Sequence, residues 1–315
     1  MQQKQLIATV FLANSGSRIQ TDSPALLVWD GETRIVADSS PSIHFQRALR
    51  HTFSIHFLTH FETVWMSDTP CAIILAAGKG TRMKSDLPKV LCPVVDRAMI
   101  HFVLDALEKA GISRQIVVVG YEAEAVKAEL SSRGGNIEFA LQEEQLGTGH
   151  AVQMCREQLK SQSGPTIVVA GDSPLIQPTS LSKLLDHFNE TKPALLLGTL
   201  KKDDPTGLGR IVRNQDGDFT GIVEHKDATP EQLEINEVNM STYLFNTPDL
   251  LDSLDKLSND NAQAEYYLTD SATLLREAGR PVAALPVLQE CESLSINNPA
   301  ELQLVDEKMR TMGYA

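Results

Sequence analysis

"AAGKGTRMKSDLPK", Ala76 to Lys89, follows directly on an apolar run, Ala72 to Ala76, and its reading decides the fold. Leu75, Ala76 and Ala77 end a strand, Gly78 and Gly80 let the backbone turn tightly, and Thr81 and Arg82 follow. In an open α/β sheet the carboxyl end of a strand opens onto the ligand crevice. Glycines there let backbone N–H groups converge on phosphate oxygens with no Cβ in the way. Lys79, Arg82, Lys84 and Lys89 crowd into this stretch although the chain carries a formal net charge of −13. Pro88 turns Asp86-Leu87 toward an extended path, which brings Lys89 back to the same crevice. The spacing is neither GxxxxGK[ST] nor GxGxxG, so this is a phosphate loop of another type. Taken alone, the stretch fits a tight βα turn with solvated basic residues equally well.

Working outward, short apolar runs alternate with longer helical periods, the pattern of a parallel sheet flanked by helices. The strand runs are Ala72 to Ala76, Ile116 to Val119, Ile137 to Leu141, Thr166 to Ala170 and Ala194 to Gly198. Helices are expected at Met99 to Ala110, Glu122 to Ser131, Thr148 to Leu159 and Pro178 to Phe188. The fold class is therefore α/β, a doubly wound and mostly parallel sheet. Beyond Lys201 glycines punctuate shorter strands, Arg210 to Arg213, Phe219 to Val223 and Ser241 to Phe245, which read as a smaller mixed or antiparallel extension. Helices at Thr247 to Leu257 and Leu268 to Ala278, a strand at Val282 to Leu285 and a terminal helix from Pro299 to about Met312 complete the pattern.

The first 70 residues fit this architecture poorly. A hairpin is suggested by Ala25 to Trp29, a turn at Asp30-Gly31, and Arg34 to Ala37, followed by the His-rich "HTFSIHFLTHFETVW". Residues 1–70 read as an appended region of unknown role and poor order, and 71–315 as the catalytic domain. His51, His56 and His60 fit a packed or unstructured segment better than a metal site. The N-terminal apolar stretch is brief and lacks a small-x-small cleavage site, so secretion is not expected.

Composition excludes several classes. Hydrophobic residues make up 42% and charged residues 22%, as in an ordinary globular protein. The acidic balance argues against a nucleic-acid partner held by broad phosphate neutralisation. No apolar run is long enough to span a membrane. Cys71, Cys92, Cys155 and Cys291 form no CxxC pair and no metal-ligand spacing, which fits reduced thiols in a cytoplasmic protein.

The ordered motifs "LAAGKGTRMKSDLPKVL", "LQEEQLGTGHA", "GDSPL", "DDPTGLGRI", "GIVEHKDAT", "NAQAEYYLTD" and "INN" run through residues 72–310. Together they resemble the sugar-nucleotide pyrophosphorylases (nucleotide-diphospho-sugar transferases), most closely the uridylyltransferase domain of bacterial N-acetylglucosamine-1-phosphate enzymes. The resemblance implies a Mg²⁺-dependent transfer joining UTP to N-acetylglucosamine 1-phosphate, giving UDP-N-acetylglucosamine, a peptidoglycan precursor, and pyrophosphate. It implies that Leu75, Ala76, Ala77 and Gly78 line the nucleotide while Arg82 and Lys89 take the phosphates. Gln142 would read the uracil edge, with Gly147 and Thr148 beside base and ribose. Ala170 and Gly171 would border the substrate, and Asp172 with Asn297 would hold Mg²⁺. Gly209, Glu224 and Asn239 would hold the sugar phosphate, and His150 and His225 would support these groups.

Judged without the resemblance, Asp172 and Asn297 each fit helix capping, and Gln142 a surface amide. Four positions depart from the family pattern, all toward the sugar. Ala170 replaces a residue that is often aromatic, Ala264 the usual glycine after "NAQ", and Met240 and Ser241 the threonine and glycine of an Asn-Thr-Gly. No hexapeptide repeat follows, so neither the acetyltransferase β-helix nor its trimer is expected, and the oligomeric state stays open. The alternatives are another sugar 1-phosphate or nucleotide as substrate, or a non-catalytic sugar-nucleotide-binding regulator.

Overall fold

The computed structural model describes residues 68–261 and 263–314, together with four short strands nearer the N-terminus. The chain divides into two compact units, Met1–Glu62 and Thr63–Ala315. In the first, Leu27–Trp29 pairs antiparallel with Ile35–Ala37, as the hairpin reading expected, and Ala13–Asn14 pairs with Ser17–Arg18. The three histidines of the His-rich segment lie outside the described residues.

The second unit is built on one nine-stranded sheet. Its strands are β1 (Cys71–Leu75), β2 (Arg114–Val119), β3 (Asn136–Leu141), β4 (Pro165–Ala170), β5 (Leu195–Lys201), β6 (Arg210–Arg213), β7 (Phe219–Val223), β8 (Glu237–Asn246) and β9 (Val282–Leu285). The spatial order is β7-β6-β8-β4-β1-β2-β3, with β5 pairing β8 and β9. β4, β1, β2 and β3 are mutually parallel, whereas β8 runs antiparallel to β4, β5 and β6. The glycine-punctuated strands thus extend the main sheet through the long strand β8.

The central parallel strands β1, β2 and β4 are buried along most of their length because both faces are covered, as doubly wound sheets require, while the edge strand β3 is only partly buried. One face packs on Ile100–Lys109 (α1) and Pro178–Thr191 (α5), burying Ile74, Leu104, Val117, Ile167 and Leu184. The other buries Ile73, Val118, Val168 and Phe245 against Thr148–Gln153 (α3), Thr247–Leu254 (α7) and Asp270–Glu277 (α8). The helix expected over Thr148 to Leu159 is two pieces, since the chain tightens at Met154-Cys155, where Cys155 N–H bonds Val152 O. The break turns Cys155 and Leu159 both fully into the core. All four cysteines are buried free thiols, and burial pushes the Cys71 thiol up to about 11. No helix among the described residues is long and apolar enough to cross a membrane.

Two of the four departures from the family pattern keep the backbone shape that glycine favours. Ser241 has φ 54° and Ala264 φ 53°, both left-handed, a conformation costing roughly 1–2 kcal/mol for a residue with a Cβ.

Glu237, near the start of β8, binds the sheet's antiparallel part together. Its carboxylate accepts from Arg213 on β6 at 2.6 and 2.7 Å and from the Thr199 hydroxyl on β5 at 2.5 Å. Burial alone would raise its pKa, but these donors outweigh burial and hold it below the usual carboxylate value. Glu237→Ala, which leaves the Arg213 charge only the carbonyls of Gly217 and Ala284, is expected to cost about 3 kcal/mol, read as a lower urea midpoint. A lowered folded-state pKa stabilises above the unfolded value and is lost as pH falls through the folded one. Glu237→Gln should therefore flatten the acid limb of the stability curve.

Candidate active site

Strand order locates the site. From β1 the chain winds outward to β2 and β3, then crosses back to place β4 on β1's other side, so the connections diverge between β1 and β4. In doubly wound sheets such a switch point opens a crevice at the strands' carboxyl ends. Here Leu75 lies opposite Ala170 in register, and Gly171 N–H bonds Leu75 O at 2.9 Å. The glycine-rich loop and the "GDSPL" turn therefore leave the sheet side by side.

A cleft of about 280 Å³ opens there, lined by Leu75, Ala76, Gly78, Gly80, Thr81, Arg82, Lys89, Val90 and Asp172. Gly80 makes the turn at φ 63°, and a Cβ on it would stand 2.6 Å from Lys89 Cβ. Gly78 has ordinary φ, and a Cβ there would meet nothing within 4 Å. The tight turn thus belongs to Gly80, while Gly78 leaves room for a ligand beside the backbone. After Pro88 a single 3-10 turn, Lys89–Leu91, carries Lys89 back into the cleft.

There Lys89 Nζ donates to the Asp172 carboxylate and, at 2.9 Å, to Asn297 Oδ1. Arg82 reaches the same Asn297 oxygen at 3.2 Å. The four residues singled out from sequence for phosphate and metal therefore meet at one point, and the Lys89 and Asp172 side chains are only 12% and 24% exposed. Neither capping alternative describes these groups. Gln177 stands at the N-cap of α5, and Asn298 caps Pro299–Thr311 (α9) through Ala300 and Glu301 N–H. Glu301 in turn accepts Asn297 N–H at 2.7 Å, and Asn297 Nδ2 donates to Ser295, which leaves Oδ1 facing the cleft. A carboxylate and an amide oxygen converging on one cationic position are hard donors of the kind Mg²⁺ takes, with its other ligands from water and phosphate. The described residues hold no cluster of three or more His, Cys, Asp or Glu that would suit a zinc-type site.

The nucleotide-side residues also adjoin. Gln142 is buried, not a surface amide, and its side chain donates to Gly147 O and meets His150 Nδ1, each at 3.1 Å. Gly147, at φ 103°, precedes α3 so closely packed that a Cβ would lie 2.6 Å from Tyr266 O. The Thr148 hydroxyl accepts Leu268 N–H at 3.1 Å. Gln145, not singled out from sequence, donates to Ala77 O at 2.9 Å and braces the loop.

The sugar-side residues form a second group at the same end of the sheet. Asn239 N–H bonds Gly209 O at 2.9 Å, and a Cβ on Gly209 would come 3.4 Å from Glu224 Oε1. The Asn239 amide donates to Tyr243 OH at 2.9 Å. His225 meets Arg210, a fully buried cation whose other acceptors are backbone carbonyls of Pro205, Leu208 and Leu233.

The model of the family described as nucleotidyl transferase matches residues 71–289. A bifunctional protein GlmU from an Exiguobacterium species is 48% identical over 239 residues, 76% of this chain and 52% of that protein. The bifunctional protein GlmU of Geobacillus thermodenitrificans is 46% identical over 239 residues, 76% of this chain and 51% of its own. The chain spans about half the length of the curated relatives it matches. A solved chain described as a glucose-1-phosphate thymidylyltransferase from Bacillus anthracis, in complex with a sucrose, superposes with a TM-score of 0.66 over 78% of this chain and 97% of that one. At 19% identity that likeness speaks to the fold alone. With a family match across well over half its length, the chain belongs to the nucleotidyl transferase family.

Proposed function

We propose that the chain joins UTP and N-acetylglucosamine 1-phosphate into UDP-N-acetylglucosamine and pyrophosphate, in the cytoplasm, with Mg²⁺. The observation that carries this reading is the meeting of Lys89, Arg82, Asp172 and Asn297 at the mouth of the glycine-rich loop. The similarity to bifunctional GlmU proteins supports the choice of base and sugar.

The chemistry asks little of proton transfer. A phosphate monoester has its second pKa near 6, so the sugar phosphate oxygen that attacks the α-phosphorus is already largely ionised at neutral pH. The barrier lies in bringing two polyanions into line, which positioning and charge neutralisation address. Arg82 and Lys89 supply fixed positive charge beside the loop N–H groups, where charge grows on the departing pyrophosphate. Asp172 and Asn297 would hold the divalent ion, which would supply further positive charge against the phosphates. A phosphate arriving at Lys89 competes with Asp172 for its ammonium, so nucleotide entry frees the carboxylate for the ion. Gln142, fixed by its bond to Gly147 O, would present its remaining amide edge to the uracil. On the sugar side Glu224 would accept from hydroxyls, with Gly209 and Asn239 forming the adjoining wall.

The Ser241 and Ala264 side chains favour one second reading, a related sugar 1-phosphate as acceptor, because both add a Cβ at family glycine positions on that side. Mass spectrometry of products formed from UTP and a panel of sugar phosphates decides between them; no UDP-sugar from any acceptor would overturn the proposal. Asp172→Asn should lower kcat at least ~100-fold with the fold intact by circular dichroism, the scale set by loss of metal-assisted charge stabilisation. Gly80→Ala should raise KM for UTP at least ~10-fold, since its Cβ needs the space Lys89 fills and a left-handed φ.

A further inference from the structure

Glu292 is a buried carboxyl outside the cleft that no step above uses. It belongs to a 3-10 turn, Glu290–Ser293, shortly before Asn297. One oxygen accepts Gln177 N–H at 3.0 Å, and the other accepts Gln289 N–H at 2.7 Å and the Ser180 hydroxyl at 2.5 Å. Gln177 ends the turn that begins at Asp172, and Ser180 lies in the first turn of α5. Glu292 also lines a small space behind that turn together with Ala170, Ser173 and Met240. Farther along, Ile296 N–H bonds Asp172 O at 3.2 Å, and Leu175 and Ile296 pack in the same apolar cluster. The segment leading to Asn297 is therefore tied to the segment following Asp172 at two levels, one of them Glu292. Burial pushes the Glu292 carboxyl above its ordinary value, against the pull of Ser180, Gln289 and Gln177.

We propose that Glu292 is a positioning residue that sets the spacing between Asp172 and Asn297 and thereby the affinity of the site for a divalent cation. The proposal rests on the functional reading above. Its physical basis is that Glu292, on the segment leading to Asn297, accepts Gln177 N–H and the Ser180 hydroxyl from the segment after Asp172, while Gln289 N–H fixes the carboxylate within its own turn. Glutamine has the same shape but only one acceptor oxygen, so whichever way its amide turns, one of these N–H groups loses its acceptor. Either loss loosens the tie, by breaking the bond to Gln177 or by freeing the turn that carries Glu292, and the Asp172 and Asn297 oxygens separate. Lys89 and Arg82 stand on the glycine-rich loop, which Glu292 does not touch, and phosphate takes the place of their contacts to Asp172 and Asn297, so metal-free contacts to nucleotide phosphate change less than metal binding.

The test is Mn²⁺ binding followed by electron paramagnetic resonance in the presence of UTP, beside UTP affinity measured in EDTA, for wild type, Glu292→Gln and Ser180→Ala. Glu292→Gln should weaken Mn²⁺ binding ~10-fold or more, the effect typical of losing a group that orients metal ligands, and change metal-free UTP affinity less than ~2-fold. Ser180→Ala, which removes one of three donors, should weaken Mn²⁺ binding by a smaller factor and carries the test if Glu292→Gln does not fold. Equal Mn²⁺ affinity in wild type and folded variant would overturn the proposal, as would parallel losses of Mn²⁺ and metal-free UTP binding. Wild type that binds Mn²⁺ and UTP only independently would instead contradict the functional reading.

Discussion

The parallel register of β1 against β4 is the constraint from which the candidate site follows. Because Leu75 and Ala170 end opposite each other, the loops beyond them must share one crevice. Each loop alone has a simple structural explanation, a turn with basic residues or a turn before a helix. Held adjacent, they place an ammonium between a carboxylate and an amide oxygen, and that triangle has the polarity needed to take a phosphate on one side and a metal ion on the other. The C-terminal helix completes it. Asn297 lies just before α9, and Val305 and Met309 on that helix pack with Met83, Cys92, Leu175 and Ile296, the apolar neighbours of the loops that carry the polar groups. Asp306 of the same helix accepts Val95 N–H at 2.6 Å, holding the small hairpin that follows Lys89.

Charge at this place is local. A chain with a net charge of −13 gathers Lys79, Arg82, Lys84 and Lys89 on one stretch, where Asp172 offsets Lys89. The Lys89–Asp172 contact is partly shielded from water, where such a pair is stronger than at the surface. A ligand that replaces one partner must therefore supply a comparable charge, which favours polyphosphate over neutral molecules.

Much of the fold could be read in the sequence because the apolar runs between turns are themselves the strands. Arg210–Arg213, Phe219–Val223 and Val282–Leu285 have the expected bounds. β8 is longer than its apolar part, since Glu237 and Asn239 find their partners, Arg213 and Gly209, in distant segments. No local pattern reports such pairing. The site divides in the same way. Arg82, Lys89, Asp172 and Asn297 were legible through the order of their motifs, while the spacing of single residues left capping open. Gln145 and Glu292 escaped notice because their roles lie in contacts across 68 and 115 residues, with Ala77 and Gln177. The wall formed by Gly209, Glu224 and Asn239 shows the same dependence on tertiary pairing.

The central claim is that Asp172 and Asn297 receive a divalent ion as Lys89 turns to phosphate. Crystals grown with UTP and Mn²⁺, with data collected for anomalous scattering, test it most directly. The account predicts one anomalous peak within coordination distance of both the Asp172 and Asn297 oxygens, with Lys89 Nζ on a phosphate oxygen. An anomalous peak elsewhere, or bound nucleotide with Lys89 still paired to Asp172, would contradict it.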